Sequence, residues 1–101
     1  MRQLEFSPRF KRDFEAARRH LEYSREDLLQ LFYDLMYFDE LPAHYREHTL
    51  EKRARNWSGF TECHLGVDLV VIYVRRPAIV KLHRIGSHTA LFAASRRGSG
   101  K

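Results

Sequence analysis

Residues 69–74 read Leu-Val-Val-Ile-Tyr-Val, a near-continuous run of β-branched and aromatic side chains. Such a run marks a central strand, because a strand covered on both sides does not alternate between apolar and polar. The fold is therefore organised around a sheet, and the neighbouring stretches supply its partners. Phe60 to Leu65 alternates, Gly66-Val67 permits a turn, and Ala78 to Arg84 follows a second turn at Arg75-Arg76-Pro77. These three segments read as an antiparallel meander. Gly86-Ser87 breaks the pattern, and His88 to Phe92 forms a short closing element, helical turn or strand.

The first half of the chain follows another period. Met1 to Phe6 reads as a short strand with Leu4 and Phe6 on one face and Glu5 on the other. Ser7 is a favoured helix cap, and Pro8 at the first helical position loses no needed hydrogen bond. Phe10, Phe14, Ala17 and Leu21 then recur at helical spacing, with Arg9, Lys11, Arg12, Arg18 and Arg19 largely off that stripe. Ser24 and Asp27 stand in capping-box spacing, and Tyr23 is placed to pack on Leu28. A second helix runs from there, with Leu28, Leu31, Phe32, Leu35, Met36 and Phe38 on its apolar face. It ends near Asp39, because Pro42 follows. Residues 41–58 show no clean period and read as an exposed, strongly charged loop. The expected fold class is α+β in the order β-α-α-β-β-β, an antiparallel sheet backed on one face by a two-helix hairpin. Residues 1–93 make up this domain, and 94–101 a basic, Gly- and Ser-containing tail without fixed structure.

A chain of 101 residues is sized for one domain. No apolar run approaches the roughly 18 residues of a membrane span, and no signal-peptide pattern opens the chain. Cys63 is the single cysteine, so no internal disulfide is available, which suits a reducing, cytoplasmic setting. The net charge of +5 favours an anionic partner, nucleic acid among them.

Six histidines in so short a chain invite a chemical reading. His48, His64 and His88 fall beside strand ends or in loops of the second half. A turn at Gly66-Val67 brings His64 and Asp68 toward one another at the sheet's end, while Arg84 closes the third meander strand. RNA cleavage needs a base for the ribose 2′-hydroxyl, an acid for the departing 5′-oxygen and positive charge around the phosphorane. Histidine serves both proton transfers near neutral pH, and the planar fork of arginine suits the phosphate. Each of these residues also has an ordinary reading: a surface histidine, a turn aspartate, a solvated arginine. A metal site is the other use of histidines, but His44 and His48 share a face only on a helix, and Pro42 argues against one. No paired-cysteine or His-Glu-x-x-His motif is present, and neither metal nor cofactor is expected.

The order of residues adds what their number cannot. Leu41-Pro42-Ala43-x-Tyr45-x-x-His48-x-Leu50 leads to Trp57-x-Gly59-Phe60-x-Glu62-Cys63-His64. Asp68-Leu69-Val70-Val71-Ile72-Tyr73 follows, then Leu82-x-Arg84-x-Gly86-Ser87-His88-x-x-Leu91-Phe92. This pattern resembles the YafQ-type toxins of bacterial toxin–antitoxin systems, within the RelE/ParE superfamily. The resemblance implies a RelE-like fold and a ribosome-dependent endoribonuclease that cuts translated mRNA in the decoding site. It also implies a cognate antitoxin that wraps the toxin, and contact with operator DNA only through that complex. His48, His64, Asp68, Arg84, His88 and Phe92 fall on the family's catalytic and RNA-contacting positions, the first five as catalytic and Phe92 and Arg84 as RNA-contacting; Lys81 is a further RNA-binding candidate. In that reading His88 shares the acid–base work with His64 or His48, Arg84 holds the scissile phosphate, and Phe92 stacks or positions a base. Two departures stand out: Glu51 to Asn56 is longer and more charged than the usual link, and Leu69 stands where some members carry tryptophan. Rival readings are a toxin of the same fold acting on another target such as gyrase, and a non-catalytic nucleic-acid-binding module.

Overall fold

Ser7 separates the first two elements. It follows strand β1 (Gln3–Phe6) and opens helix α1 (Pro8–His20), where the Phe10 N–H donates to its Oγ at 2.9 Å. Ser24 plays the same part for helix α2 (Arg25–Tyr37), accepting from the Asp27 N–H. A one-turn 3-10 helix (Ala43–Tyr45) and the short strand β2 (His48–Thr49) come next, then β3 (Thr61–Leu65), β4 (Leu69–Arg75) and β5 (Ile79–Ser87). Residues 88–92 close as a helical turn, capped where the Ala90 N–H donates to Ser87 Oγ at 3.0 Å. The computed structural model describes residues 1–20, 24–50 and 59–92. The expected packing of Tyr23 on Leu28, the charged stretch 51–56 and the tail lie outside them.

The five strands form one sheet in the order β1-β5-β4-β3-β2. The meander β3-β4-β5 is antiparallel as its alternation indicated, and Gly66 supplies the positive φ of +72° that its first turn requires. β1 joins the outer edge of β5 in parallel, Gln3 opposite Ile79 and Phe6 opposite Leu82. Alternation identified β1 as a strand but carries no information on its direction.

The segment expected to be an exposed loop departs from that reading. Leu41, Tyr45 and Leu50 are buried, and residues 48–49 add an edge strand to β3. Three hydrogen bonds, one buried and two part-buried, hold it. The Tyr45 hydroxyl donates to Asp34 on α2 at 2.7 Å, and Glu47 accepts from the Tyr73 hydroxyl and from the Leu41 N–H at 2.9 Å. Partners so far apart in the chain leave no periodic trace. α2 also stops two residues short of Asp39: Phe38 is extended and 43% exposed, so it does not extend the apolar face.

Apolar side chains pack on both faces of the sheet. The larger cluster lies against the helices and joins Phe10, Leu28, Leu31 and Leu35 to Val71, Tyr73, Val80, Leu82 and Ile85. A smaller one, Leu50, Val70, Ile72, Leu91 and Phe92, with Phe60 against it, covers the opposite face. Among the described residues no helix is long and apolar enough to cross a membrane.

Candidate active site

Strand register decides which side chains share a face. His48 is opposite Glu62, Glu62 opposite Ile72, and Ile72 opposite Arg84, so one row crosses β2, β3, β4 and β5. It lies on the face away from the helices, since Val70 and Ile72 belong to the smaller cluster. His64, Val70 and Gly86 form a second row. At strand spacings of about 4.8 Å, the backbones of Glu62 and Arg84 stand roughly 10 Å apart, with the buried Ile72 between them.

Glu62, which the sequence reading passed over, is the centre of this row. Its side chain is fully buried, and Nε2 of His48 and Nε2 of His64 approach the same oxygen, Oε2, at 3.0 and 3.1 Å. The two imidazoles stack, 5.8 Å between centroids. Neither approach has hydrogen-bond directionality, and Oε1 has no hydrogen-bond partner among the described residues. A buried carboxylate held this loosely is costly, and such cost concentrates at sites with work to do. Its signal was in the sequence: Glu62 occupies an inward position of an alternating strand, on the same face as His64.

The histidines differ in what surrounds them. His48 Nδ1 lies 2.9 Å from the Arg46 carbonyl, which can only accept, so Nδ1 carries a proton. Arg46 adopts left-handed backbone, φ 51°, to make that turn. Burial pulls the His64 pKa below its ordinary 6.5; Glu62 opposes the shift, while Arg46 and His48 reinforce it. His64 is thereby biased toward its neutral, proton-accepting form.

The remaining expected residues are brought to the same region in different ways. Asp68 lies in the exposed turn after β3, and its main-chain carbonyl accepts from the His88 N–H at 3.2 Å. That bond seats the closing turn beside the β3–β4 corner, on the His64 side. The His88 ring rests against Phe92, 4.7 Å between centroids. Phe92 is only 6% exposed and is built into the smaller cluster, so it backs His88, in place of the expected open stacking surface for a base. Arg84 is half-buried and its guanidinium meets Asp13. Lys81 is exposed further along β5; with Arg76 and the Phe60–His83 ring pair, 4.7 Å apart, it borders a cleft of about 480 Å³. His83, also unforeseen, stands in the bulge between Leu82 and Arg84, and its pKa is lowered by burial and then by Arg84.

What the two imidazoles and the carboxylate can do is proton transfer. Two imidazoles and a carboxylate are also a donor set for zinc or copper, and their ligand atoms lie within 4.8 Å of one another. His44, by contrast, stacks on Tyr45 at 4.1 Å and takes no part.

Comparison with known proteins identifies the lineage. Residues 2–93 match the model of the family described as the bacterial toxin of a type II toxin–antitoxin system, YafQ. This chain belongs to the YafQ toxin family. The mRNA interferase toxin YafQ of Escherichia coli strain B is 30% identical over 94 residues, covering 90% of this chain and 96% of that protein. YafQ in the E. coli DinJ–YafQ complex superposes with a TM-score of 0.76 at 29% identity, over 91% of this chain and 99% of that one. A copper-bound mutant toxin from Helicobacter pylori gives 0.78 at 26% identity, over 91% and 100%. The YafQ fold, with α1 and α2 on one face of a five-stranded sheet, is thus the setting in which His48, Glu62 and His64 come together, with Arg84 two strands away in the same row.

Proposed function

We propose that this chain is the toxin of a type II toxin–antitoxin pair and an endoribonuclease that cuts translated mRNA on the ribosome, in the cytoplasm. The observation that carries the proposal is the row His48–Glu62–Ile72–Arg84 with His64 beside it. It supports the proposal because two imidazoles, a carboxylate and an arginine belong to neighbouring register positions of one sheet. His64, biased toward its neutral form, takes the proton from the ribose 2′-hydroxyl, and the nearby Glu62 charge stabilises the imidazolium that forms. The 2′-oxygen attacks phosphorus, the bond to the 5′-oxygen breaks, and His88 or His48 protonates the leaving oxygen. Arg84 faces the charge that builds on the phosphorane. Asp68 and Phe92 hold His88 in place, and Lys81 meets the strand beyond the site. A dependence on the 2′-hydroxyl restricts the reaction to RNA. The relatives named mRNA interferases and the relative crystallised with DinJ favour this target and an antitoxin partner, through which operator DNA is reached.

The test is controlled expression with mapping of mRNA ends. New ends that vanish with His88→Ala and Arg84→Ala are expected; growth arrest without cleavage would point to another target, and RNA binding without cleavage to a passive module.

The donor set and the copper-bound relative favour one addition. Copper or zinc, bound by His48, Glu62 and His64, would act as a Lewis acid and occupy the lone pairs that proton transfer uses. Added copper is therefore expected to inhibit cleavage, a chelator to restore it, and His48→Ala to blunt the inhibition.

A further inference from the structure

Arg84 is held by a residue from the first half of the chain. Its Nε and Nη2 donate to the two carboxylate oxygens of Asp13, at 2.6 and 3.1 Å. Asp13 sits on α1, 71 positions earlier in the chain. The same carboxylate accepts from the Ile85 N–H at 3.2 Å, a group on the β5 edge that β1 no longer covers, since their pairing ends at Leu82. Asp13 thus grips both the guanidinium and the main chain just beyond the bulge. Both partners are largely withdrawn from solvent, with 16% of each side chain exposed.

A guanidinium has two forked edges. Nε with Nη2 is the side edge, and Nη1 with Nη2 is the end edge. Asp13 fills the side edge, and among the described residues no hydrogen bond is made by Nη1, so the hydrogen-bonding capacity of the end edge is not taken up by Asp13. A carboxylate that blocked the site would take the end edge; this one fixes the rotation of the planar group and leaves its fork presented.

We propose that Asp13 is a positioning residue: it locks the Arg84 guanidinium so that its open edge meets the phosphorane. This rests on the role given to Arg84 above. The test is a double-variant cycle on cleavage of a reporter mRNA by the purified full chain on translating ribosomes, with melting temperatures measured alongside. Asp13→Asn removes the charge but keeps an acceptor for Ile85, and a fall in kcat of about 30-fold with little change in KM is expected. In an Arg84→Ala background the same substitution should cost less than about twofold, because nothing remains to position. Asp13→Glu, which keeps the ion pair and with it the fold, should give a kcat between the parent and Asp13→Asn. Losses that multiply across the two sites would reduce Asp13 to a helix-to-sheet tether and overturn the proposal. So would unimpaired cleavage by Asp13→Asn while Arg84→Ala is impaired. Unimpaired cleavage by Arg84→Ala is the distinct outcome that removes the role of Arg84 itself.

Discussion

Glu62 concentrates the conflict between stability and chemistry in one side chain. Its carboxylate has no exposure, and no donor is aimed well at it. Glu62→Gln keeps the shape and removes the charge. The melting temperature is expected to hold or rise while cleavage falls, on the order of a hundredfold; calorimetry and a cleavage time course check the two halves. A fall in stability equal to the fall in activity would make Glu62 structural. His64 and His83 set the pH response. Both have folded-state pKa values below the ordinary 6.5, so the unfolded chain binds protons that the folded chain refuses. Stability is complete above about 6.5 and declines as the pH falls from there through the folded values. Denaturant midpoints between pH 8 and 5 should show that decline, and His64→Gln should flatten part of it. At this scale the sequence was uneven: His48, His64, Arg84 and His88 could be singled out by type and place, whereas Asp13 could not. An aspartate among basic residues on a helix reads as surface until the helix is docked.

Among the elements, the closing turn at 88–92 depends on one absent side chain. A Cβ on Gly86 would lie 3.1 Å from Leu91 Cδ2, closer than ordinary contact. Gly86→Ala is therefore expected to push Leu91 outward, with a loss of roughly 1–2 kcal/mol. Because His88 rides on the same turn, cleavage should fall further than stability alone explains. Chemical denaturation with kinetics decides this, and a variant as stable and active as the parent would show the contact is easily relieved. The helices and the meander were legible because each carries its own period and caps: Ser7 and Ser24 cap in space as their spacing indicated. β2 was not legible. Two residues are too few to show alternation, and this strand exists through its pairing with β3.

Across the whole molecule, the site lies where the thinner core meets the sheet. The helices and one sheet face hold the larger cluster, and among the described residues the opposite face is covered by a smaller one. The segment bearing His48 is joined to the body through Glu47, which the Tyr73 hydroxyl meets and near which Arg75 Nη2 stands at 2.8 Å. Glu47→Ala should leave that guanidinium without a counter-charge, cost roughly 3 kcal/mol and loosen residues 41–50. Hydrogen exchange would register the loosening at Leu50, whose N–H donates to the Phe60 carbonyl; unchanged protection there would count against this anchor. The amino-acid order by itself determined β1, both main helices, the three meander strands, the α+β class and most of the chemical groups, because periodicity, capping and residue type act over a few neighbours. Only the tertiary structure decided that β1 runs parallel, that Glu62 sits buried between two imidazoles and that Asp13 holds Arg84. Each of those depends on groups far apart in the chain, and their meeting is fixed by register and packing.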